Sequence, residues 1–209
     1  MSTNEMEGLG LKEEARDYAG SKIGMWLFLS TEAFLFAALF LLYAAYRLRY
    51  ARVFHEASSG LDLFTGTLNT AVLLTSSLTA ALSLWSLKKG KRGSTLVFLL
   101  LTVLFGALFL ANKYLEWREK IGHGLYPGSP DLLQQAPGDA VFWGLYFFTT
   151  GLHALHVAGG ILLLAVMAFS VQRERVNKWD FIRLENSVLY WHMVDVIWIY
   201  IFPLFYLIG

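Results

Sequence analysis

Cysteine is absent from this 209-residue chain. Disulfides, thiolate metal sites, iron–sulfur clusters and cysteine nucleophiles are therefore all excluded. Histidine is scarce too, with five residues in total, and two of them, His55 and His123, fall in predicted loops. Haem ligation in a helical bundle usually needs a histidine from each of two helices, and a binuclear oxygen site needs several more. The sequence therefore predicts no metal site and no cofactor held by this chain.

Charged residues are also few, at 16%, whereas 56% of the residues are hydrophobic. A water-soluble domain of this length would be much less apolar, so lipid is expected to be the main solvent. The formal net charge of +1 lacks the basic excess that a phosphate-tracking surface needs. A nucleic-acid partner is therefore excluded.

The sequence contains long, nearly uncharged runs of apolar residues. About 20 apolar residues are needed to cross roughly 30 Å of hydrocarbon as a helix. Five runs qualify, at about 23–46, 66–87, 94–112, 140–171 and 186–209. No period-two alternation is present, so a β-barrel is not expected. The fold class is predicted to be an all-α bundle of five transmembrane helices within residues 22–209, and small residues in spans two and four predict close helix packing.

Residues 1–21 are polar and lack the basic start and apolar core of a signal peptide, so we expect a retained polar tail. Assigning Lys and Arg to alternate sides of five spans puts 11 on the side of the N-terminus and 6 on the other. The positive-inside rule then predicts a cytoplasmic N-terminus and an outer C-terminus. The segment from about Arg118 to Asp139, with three of the four prolines, is expected to form an irregular outer loop.

A few ionisable residues lie inside these apolar runs. Glu32 and Asp195 each lie nine positions into a span, about 14 Å deep at 1.5 Å per residue. An acidic group at that depth is costly, by roughly 2.5 to 3.5 kcal/mol on insertion scales, so each must face protein or water. The spacing of the other polar residues in spans four and five places them on shared helix faces. The candidate set is Glu32, His153, His156, Glu185, His192 and Asp195.

Two interpretations of this set remain open. The histidines could form interhelical hydrogen bonds that hold the bundle together, or they could take part in proton or lipid chemistry. Glu32 has no partner in its own helix and could be either functional or a satisfied structural acid. By themselves these residues also allow a stand-alone proton-coupled transporter or channel.

A second candidate set, Lys113, Glu116 and Trp117, ends the third span. Its expected role is interfacial: snorkelling charged side chains beside an aromatic anchor.

Five segments in order resemble subunit III of the haem-copper respiratory oxidases. They are residues 26–32 (WLFLSTE), 68–74 (LNTAVLL), 113–117 (KYLEW), 147–160 (FFTTGLHALHVAGG) and 185–198 (ENSVLYWHMVDVIW). The resemblance covers nearly the whole chain from about Lys22. It corresponds to the five-span bacterial form, which lacks the first two helices of seven-span members, so a lipid cleft between those two helices and the rest is not carried over to this chain.

The resemblance implies a multi-pass protein of the bacterial inner membrane that carries no redox centre. It implies oxidase subunits I and II as partners, with the haems and copper held there, direct packing against subunit I, and bound phospholipid. It also implies that the chain stabilises subunit I and supports proton uptake and oxygen access, with Glu32 and the buried polar set matching the family's buried residues. Cytochrome c oxidase is the expected complex; a quinol oxidase or a nitric oxide reductase is the alternative within the family.

Overall fold

Helices account for almost all of the regular structure. The computed structural model describes residues 3–134 and 136–208, and side chains from Tyr18 onward except Leu133. The elements are α1 (Thr3–Arg49), α2 (Ala51–Ser58), α3 (Leu63–Lys88), α4 (Arg92–Gly122), α5 (Pro130–Leu133), α6 (Pro137–Gln172), α7 (Ile182–Phe202) and a π-helical turn (Pro203–Leu207). The described ranges contain no β-strand, as expected of backbone that must satisfy its own hydrogen bonds in lipid.

Five of these helices are long and apolar enough to cross a membrane, at Tyr18–Arg49, Leu63–Lys88, Arg92–Gly122, Pro137–Gln172 and Ile182–Leu207. The predicted all-α, five-span fold class is confirmed. An odd number of spans places the two ends of the bundle segment on opposite faces. Which face is cytoplasmic stays a prediction from the basic residues, and so does the division into a 1–21 tail and a 22–209 domain.

Four helices form a closed ring in the order α3, α4, α6, α7, and α1 packs outside it against α6 and α7. Close approach within the ring depends on small residues. A Cβ atom at Gly106 or at Gly160 would lie 2.7 Å from the Trp191 ring, so the indole is buried only because both positions are glycine. At the turn between α3 and α4, Gly90 has φ +72°, a conformation that favours glycine.

The third span is longer than the sequence indicated. The run of apolar residues ends near Asn112, but α4 continues to Gly122. Three polar residues of this last part lie on one face, because Lys113, Glu116 and Lys120 are spaced i, i+3 and i+7, and all three are buried. The expected irregular loop from Arg118 is therefore wrong in its first part, which is helix, and it also contains α5.

A π-helical turn ends the chain. The Ile208 amide bonds to the Pro203 carbonyl at 2.9 Å, five residues back rather than four. That shift leaves the Leu204 carbonyl without the amide donor of a regular α-helix, and the Tyr43 hydroxyl of α1 donates to it instead. The Arg47 guanidinium donates to the Ile208 carbonyl in the same way, so α1 holds the last turn in place.

The start of α3 provides a stability test outside the membrane spans. The Asp62 carboxylate caps the helix, accepting from the Phe64 amide at 3.0 Å and from the Thr65 hydroxyl at 2.5 Å. The Thr65 bond is the main reason that the pKa of Asp62 is lowered. We expect Asp62→Ala to cost about 0.5 to 2 kcal/mol of stability, measured by thermal unfolding in mild detergent at neutral pH.

The pH dependence of that loss follows from the sign of the shift. A carboxyl whose folded pKa is below its unfolded value stabilises the fold above the unfolded pKa and loses this contribution as pH falls through the folded one. The difference between wild type and Asp62→Ala should therefore shrink in acid. A difference that stays constant from neutral pH to below pH 3 would contradict a capping role for the carboxylate.

Candidate functional site

Glu32 on α1 has a partner on another helix. Its Oε2 atom lies 2.9 Å from Nε2 of His156 on α6. The other ring nitrogen of His156, Nδ1, lies 2.8 Å from the Leu152 carbonyl, and because a carbonyl only accepts, Nδ1 carries a hydrogen and donates. The bond to Glu32 therefore needs one proton, shared between a carboxylate and an imidazolium or between a neutral acid and a neutral imidazole. Either way the pair has no net charge.

This pair lies at the contact between α1 and the ring of four helices. The Tyr190 hydroxyl donates to the His156 carbonyl at 3.1 Å, and the Phe36 ring packs edge-on against the imidazole at 5.3 Å. The side chain of Glu32 is 20% exposed and that of His156 13%. The pair is therefore accessible from the outer surface of the bundle rather than sealed in its core.

His153 lies one turn before His156 but in a different environment. It is fully buried, with ring centroids of Phe109 and Trp198 at 5.5 and 5.3 Å. Neither ring nitrogen has a hydrogen-bond partner among the described residues. The two histidines of span four therefore do not act as one pair.

Polar and aromatic side chains of α7 contact α3. Nδ1 of His192 lies 2.6 Å from the Ser77 hydroxyl of α3. Asp195, one turn further on, is buried, and neither of its carboxyl oxygens is hydrogen-bonded within the described residues. Two neighbouring indoles of α7 bond to the same helix, from Trp191 to Ser76 and from Trp198 to Thr70, each at 3.0 Å. These bonds fix the rotation of α7 against α3.

Glu185, at the start of α7, joins three helices. Its carboxylate accepts from Lys22 of α1 at 3.1 Å, from Lys88 of α3 at 3.3 Å and from the Tyr18 hydroxyl at 3.0 Å. We call Tyr18, Lys22, Lys88 and Glu185 the Glu185 junction. The six residues of the first candidate set therefore occupy separate places between helices and do not converge on one centre.

The interfacial role predicted for Lys113 and Glu116 is wrong for both side chains, which are 2% and 5% exposed. Neither reaches solvent. Lys113 Nζ donates to Glu116 Oε2 at 3.2 Å and to the hydroxyls of Tyr146 and Tyr206 at 2.9 and 2.7 Å. Both hydroxyls in turn donate to Glu116 Oε1 at 2.5 Å. We call these four residues the Lys113 cluster.

The Lys113 cluster forms because burying a single unpaired charge costs too much free energy. A lysine and a glutamate removed from water are tolerable only when they are paired and their remaining hydrogen-bonding groups are satisfied. Here all three N–H groups of Lys113 are used, and the cluster joins α4, α6 and the π-helical turn. Trp117 is half-buried beside Phe147, and its indole nitrogen has no partner among the described residues.

Tyr146 and Tyr206 were not singled out from the sequence, nor were Ser77, Tyr18, Lys22 and Lys88 as partners. A signal existed for the first two, since a tyrosine within an apolar span needs a partner for its hydroxyl. The helix that supplies this partner cannot be read from one sequence.

No three His, Asp or Glu side chains of the described ranges lie together as a metal site would require. The structure is that of a multi-pass membrane protein in which several buried ionisable groups have partners on neighbouring helices. The chain matches the family described as cytochrome c oxidase subunit III over residues 5–209, and it belongs to that family.

Two curated relatives show the same relationship over nearly the full length. Subunit 3 of the cytochrome bo(3) ubiquinol oxidase of Pseudomonas aeruginosa is 32% identical over 203 residues, which cover 94% of this chain and 90% of the relative. The probable quinol oxidase subunit 3 of Staphylococcus haemolyticus is 31% identical over 202 residues, with 94% of each chain covered. The chain is therefore subunit III of a haem-copper oxidase, a multi-pass protein of the bacterial inner membrane that associates with other oxidase subunits such as subunit I.

The Lys113 cluster makes a stability prediction. Lys113→Met leaves the Glu116 carboxylate buried without its cation, and we expect a loss of roughly 3 to 5 kcal/mol. The double variant Lys113→Met/Glu116→Leu removes both charges and should recover most of that loss. Unfolding in mild detergent measures both variants and each single change. A double variant whose loss equals the sum of the two single losses would show that the two residues are not energetically coupled.

Proposed function

We propose that this chain is the accessory subunit III of a bacterial quinol oxidase, with haems and copper held by its partner subunits. The observation that carries the proposal is the full-length similarity to proteins named ubiquinol oxidase subunit 3 and quinol oxidase subunit 3. Cytochrome c as electron donor, which the sequence alone favoured, is not confirmed by these relatives. The stand-alone transporter loses its support, because the family to which the chain belongs consists of subunits of a larger complex.

Within that complex, the proposed role of the chain is to stabilise subunit I by direct packing and to support proton uptake and oxygen access through lipid. Subunit II is the other expected partner. The support from geometry is the Glu32–His156 pair, which shares one proton and remains partly exposed at the outer surface of the bundle. Loss of that proton would leave one net negative charge at the pair, which is costly in the membrane, so the pair can pass a proton to a neighbour only when another proton replaces it. Bound phospholipid belongs to the same proposal.

Copurification tests the assignment. A tagged copy of this chain, isolated from its own membranes in mild detergent, should bring down subunits with a haem spectrum and oxygen-consuming activity. Ubiquinol or menaquinol should support that activity, and reduced cytochrome c should not. Oxidation of cytochrome c alone would return the assignment to a cytochrome c oxidase, and reduction of nitric oxide in place of oxygen would point to a reductase. A haem-free oligomer of this chain alone would contradict the proposal entirely.

The Glu32–His156 pair makes a separate prediction. Glu32→Ala removes the shared proton and leaves His156 Nε2 unpaired, so we expect sustained turnover to decline faster while assembly is kept. Glu32→Gln, which keeps a hydrogen bond but cannot exchange a proton, should decline in the same way if the proton matters. Oxygen consumption over many turnovers measures this, with haem content as the check on assembly.

Comparing Glu32→Gln with Glu32→Ala distinguishes a proton-exchange role of Glu32 from a purely structural one. Normal turnover in Glu32→Gln with rapid loss in Glu32→Ala would indicate that the hydrogen bond is sufficient. Failure of Glu32→Ala to assemble would favour a purely structural carboxyl group.

A further inference from the structure

A groove runs along the outside of the bundle between α3 and α7. Its walls are apolar and are formed by Ala81, Leu84 and Trp85 of α3 and by Val188 and Leu189 of α7, and its volume is about 340 Å³. Lys88 and Glu185 line one end and His192 the other. Seven residues separate the two ends on each helix, which corresponds to about 10 Å at 1.5 Å per residue.

The end at the Glu185 junction is positively charged. The ammonium groups of Lys22 and Lys88 share the single carboxylate of Glu185, so one positive charge is left over. The side chain of Lys88 is 42% exposed, and its ammonium group, which donates to Glu185 and lies over the Phe181 ring at 4.5 Å, has further N–H donors for an anion. Lys91 lies in the exposed turn after α3, which adds to the positive potential at this end.

The residues around the Lys88 end of the groove are typical of a membrane–water boundary. Trp85 is 52% exposed, and Lys91 lies over its ring at 5.8 Å. A half-exposed tryptophan beside lysines is typical of the level at which lipid headgroups lie. From there the groove extends toward the membrane centre and ends at His192.

The lining of the groove has the order of a phospholipid. Its apolar walls extend about 10 Å from the charged end at Lys88 and Glu185 to His192. A phospholipid likewise has a charged headgroup followed by a hydrocarbon chain.

We propose that this groove binds one anionic phospholipid. The phosphodiester lies at Lys88, where a lysine acts as a point charge toward phosphate, and one acyl chain follows Leu84, Trp85, Val188 and Leu189 toward His192. This inference gives a location to the lipid binding proposed above. It uses only helices present in this five-span chain.

A photo-cross-linking residue, p-benzoylphenylalanine, at Ala81 tests the occupant directly. Ala81 is exposed in the groove wall, so the larger side chain need not displace the helices. In the intact complex, illumination should give an adduct with the mass of a phospholipid. The same residue at Ala71, also exposed on α3 but outside the groove, is the control. An adduct with another subunit at position 81, or lipid adducts no more frequent than at position 71, would overturn the proposal.

The position of the lipid headgroup at Lys88 is tested by removing the positive charge of that residue. Lys88→Gln should lower the phosphatidylglycerol retained per chain about fivefold, the effect of one basic residue on attraction to an anionic lipid. Lys22 and Tyr18 still hold Glu185 in this variant, so the fold is kept. Native mass spectrometry after exchange into nanodiscs of phosphatidylglycerol or phosphatidylcholine gives the count.

Lys89→Gln, at a neighbouring exposed lysine that does not line the groove, should retain as much phosphatidylglycerol as the wild type. Equal retention in Lys88→Gln and wild type, or the same loss in both variants, would overturn the headgroup assignment. Because the readout is bound lipid and not oxygen consumption, failure here leaves the proposed oxidase function untouched. Loss of the oxidase assignment would likewise leave the lipid count unchanged.

Discussion

Inside the hydrocarbon layer, a polar group without a partner is costly, and most of this structure follows from how those partners are found. The backbone satisfies itself by forming helices. The ionisable side chains are not fully satisfied within their own helix, so many of their partners lie on neighbouring ones. The Lys113 cluster is the most complete case, because two opposite charges and two hydroxyls satisfy one another with little access to solvent.

The same constraint explains how the helices are arranged. Asn112 donates to Asn69 at 2.9 Å between α4 and α3, and Thr79 and Thr102 lie 2.8 Å apart between the same two helices. Such bonds contribute only about 0.6 kcal/mol each on average in a membrane protein. Their main effect is on rotation and register, because each bond is made at only one relative position of the helices. Glycine at positions 106 and 160 then lets Trp191 occupy the space between three helices.

α1 differs from the ring in that far less of its surface is buried within the chain. Three sets of polar contacts hold it: the Glu185 junction at one end, the Glu32–His156 pair in the middle, and Tyr43 and Arg47 on the last turn at the other end. Leu29, Phe36 and Tyr43 are also buried, but most apolar side chains of this helix are exposed and available to lipid and to other subunits. The proposed functional pair lies on this helix, where a neighbouring subunit can approach it.

Much of this protein could be predicted from composition and apolar run length. The five spans, the absence of strands and the family resemblance follow from where charges are missing and from five ordered segments. Glu32 and the histidines were also identifiable, because an ionisable residue in an apolar run is conspicuous by itself. Lys113 and Glu116 were misjudged because they lie at the end of an apolar run, and hydropathy alone treats a charge in that position as the end of the span.

The partners on other helices were decided by the tertiary structure. Spacing along one helix shows which residues share a face, but the residue opposite depends on how the helices are rotated and ordered, and a single sequence does not specify either. Glu32 meets His156 across 124 positions, and Lys113 meets Tyr206 across 93. The sequence by itself therefore determined that ionisable groups are buried in a five-helix bundle, and the packing of the helices decided which of them neutralise one another.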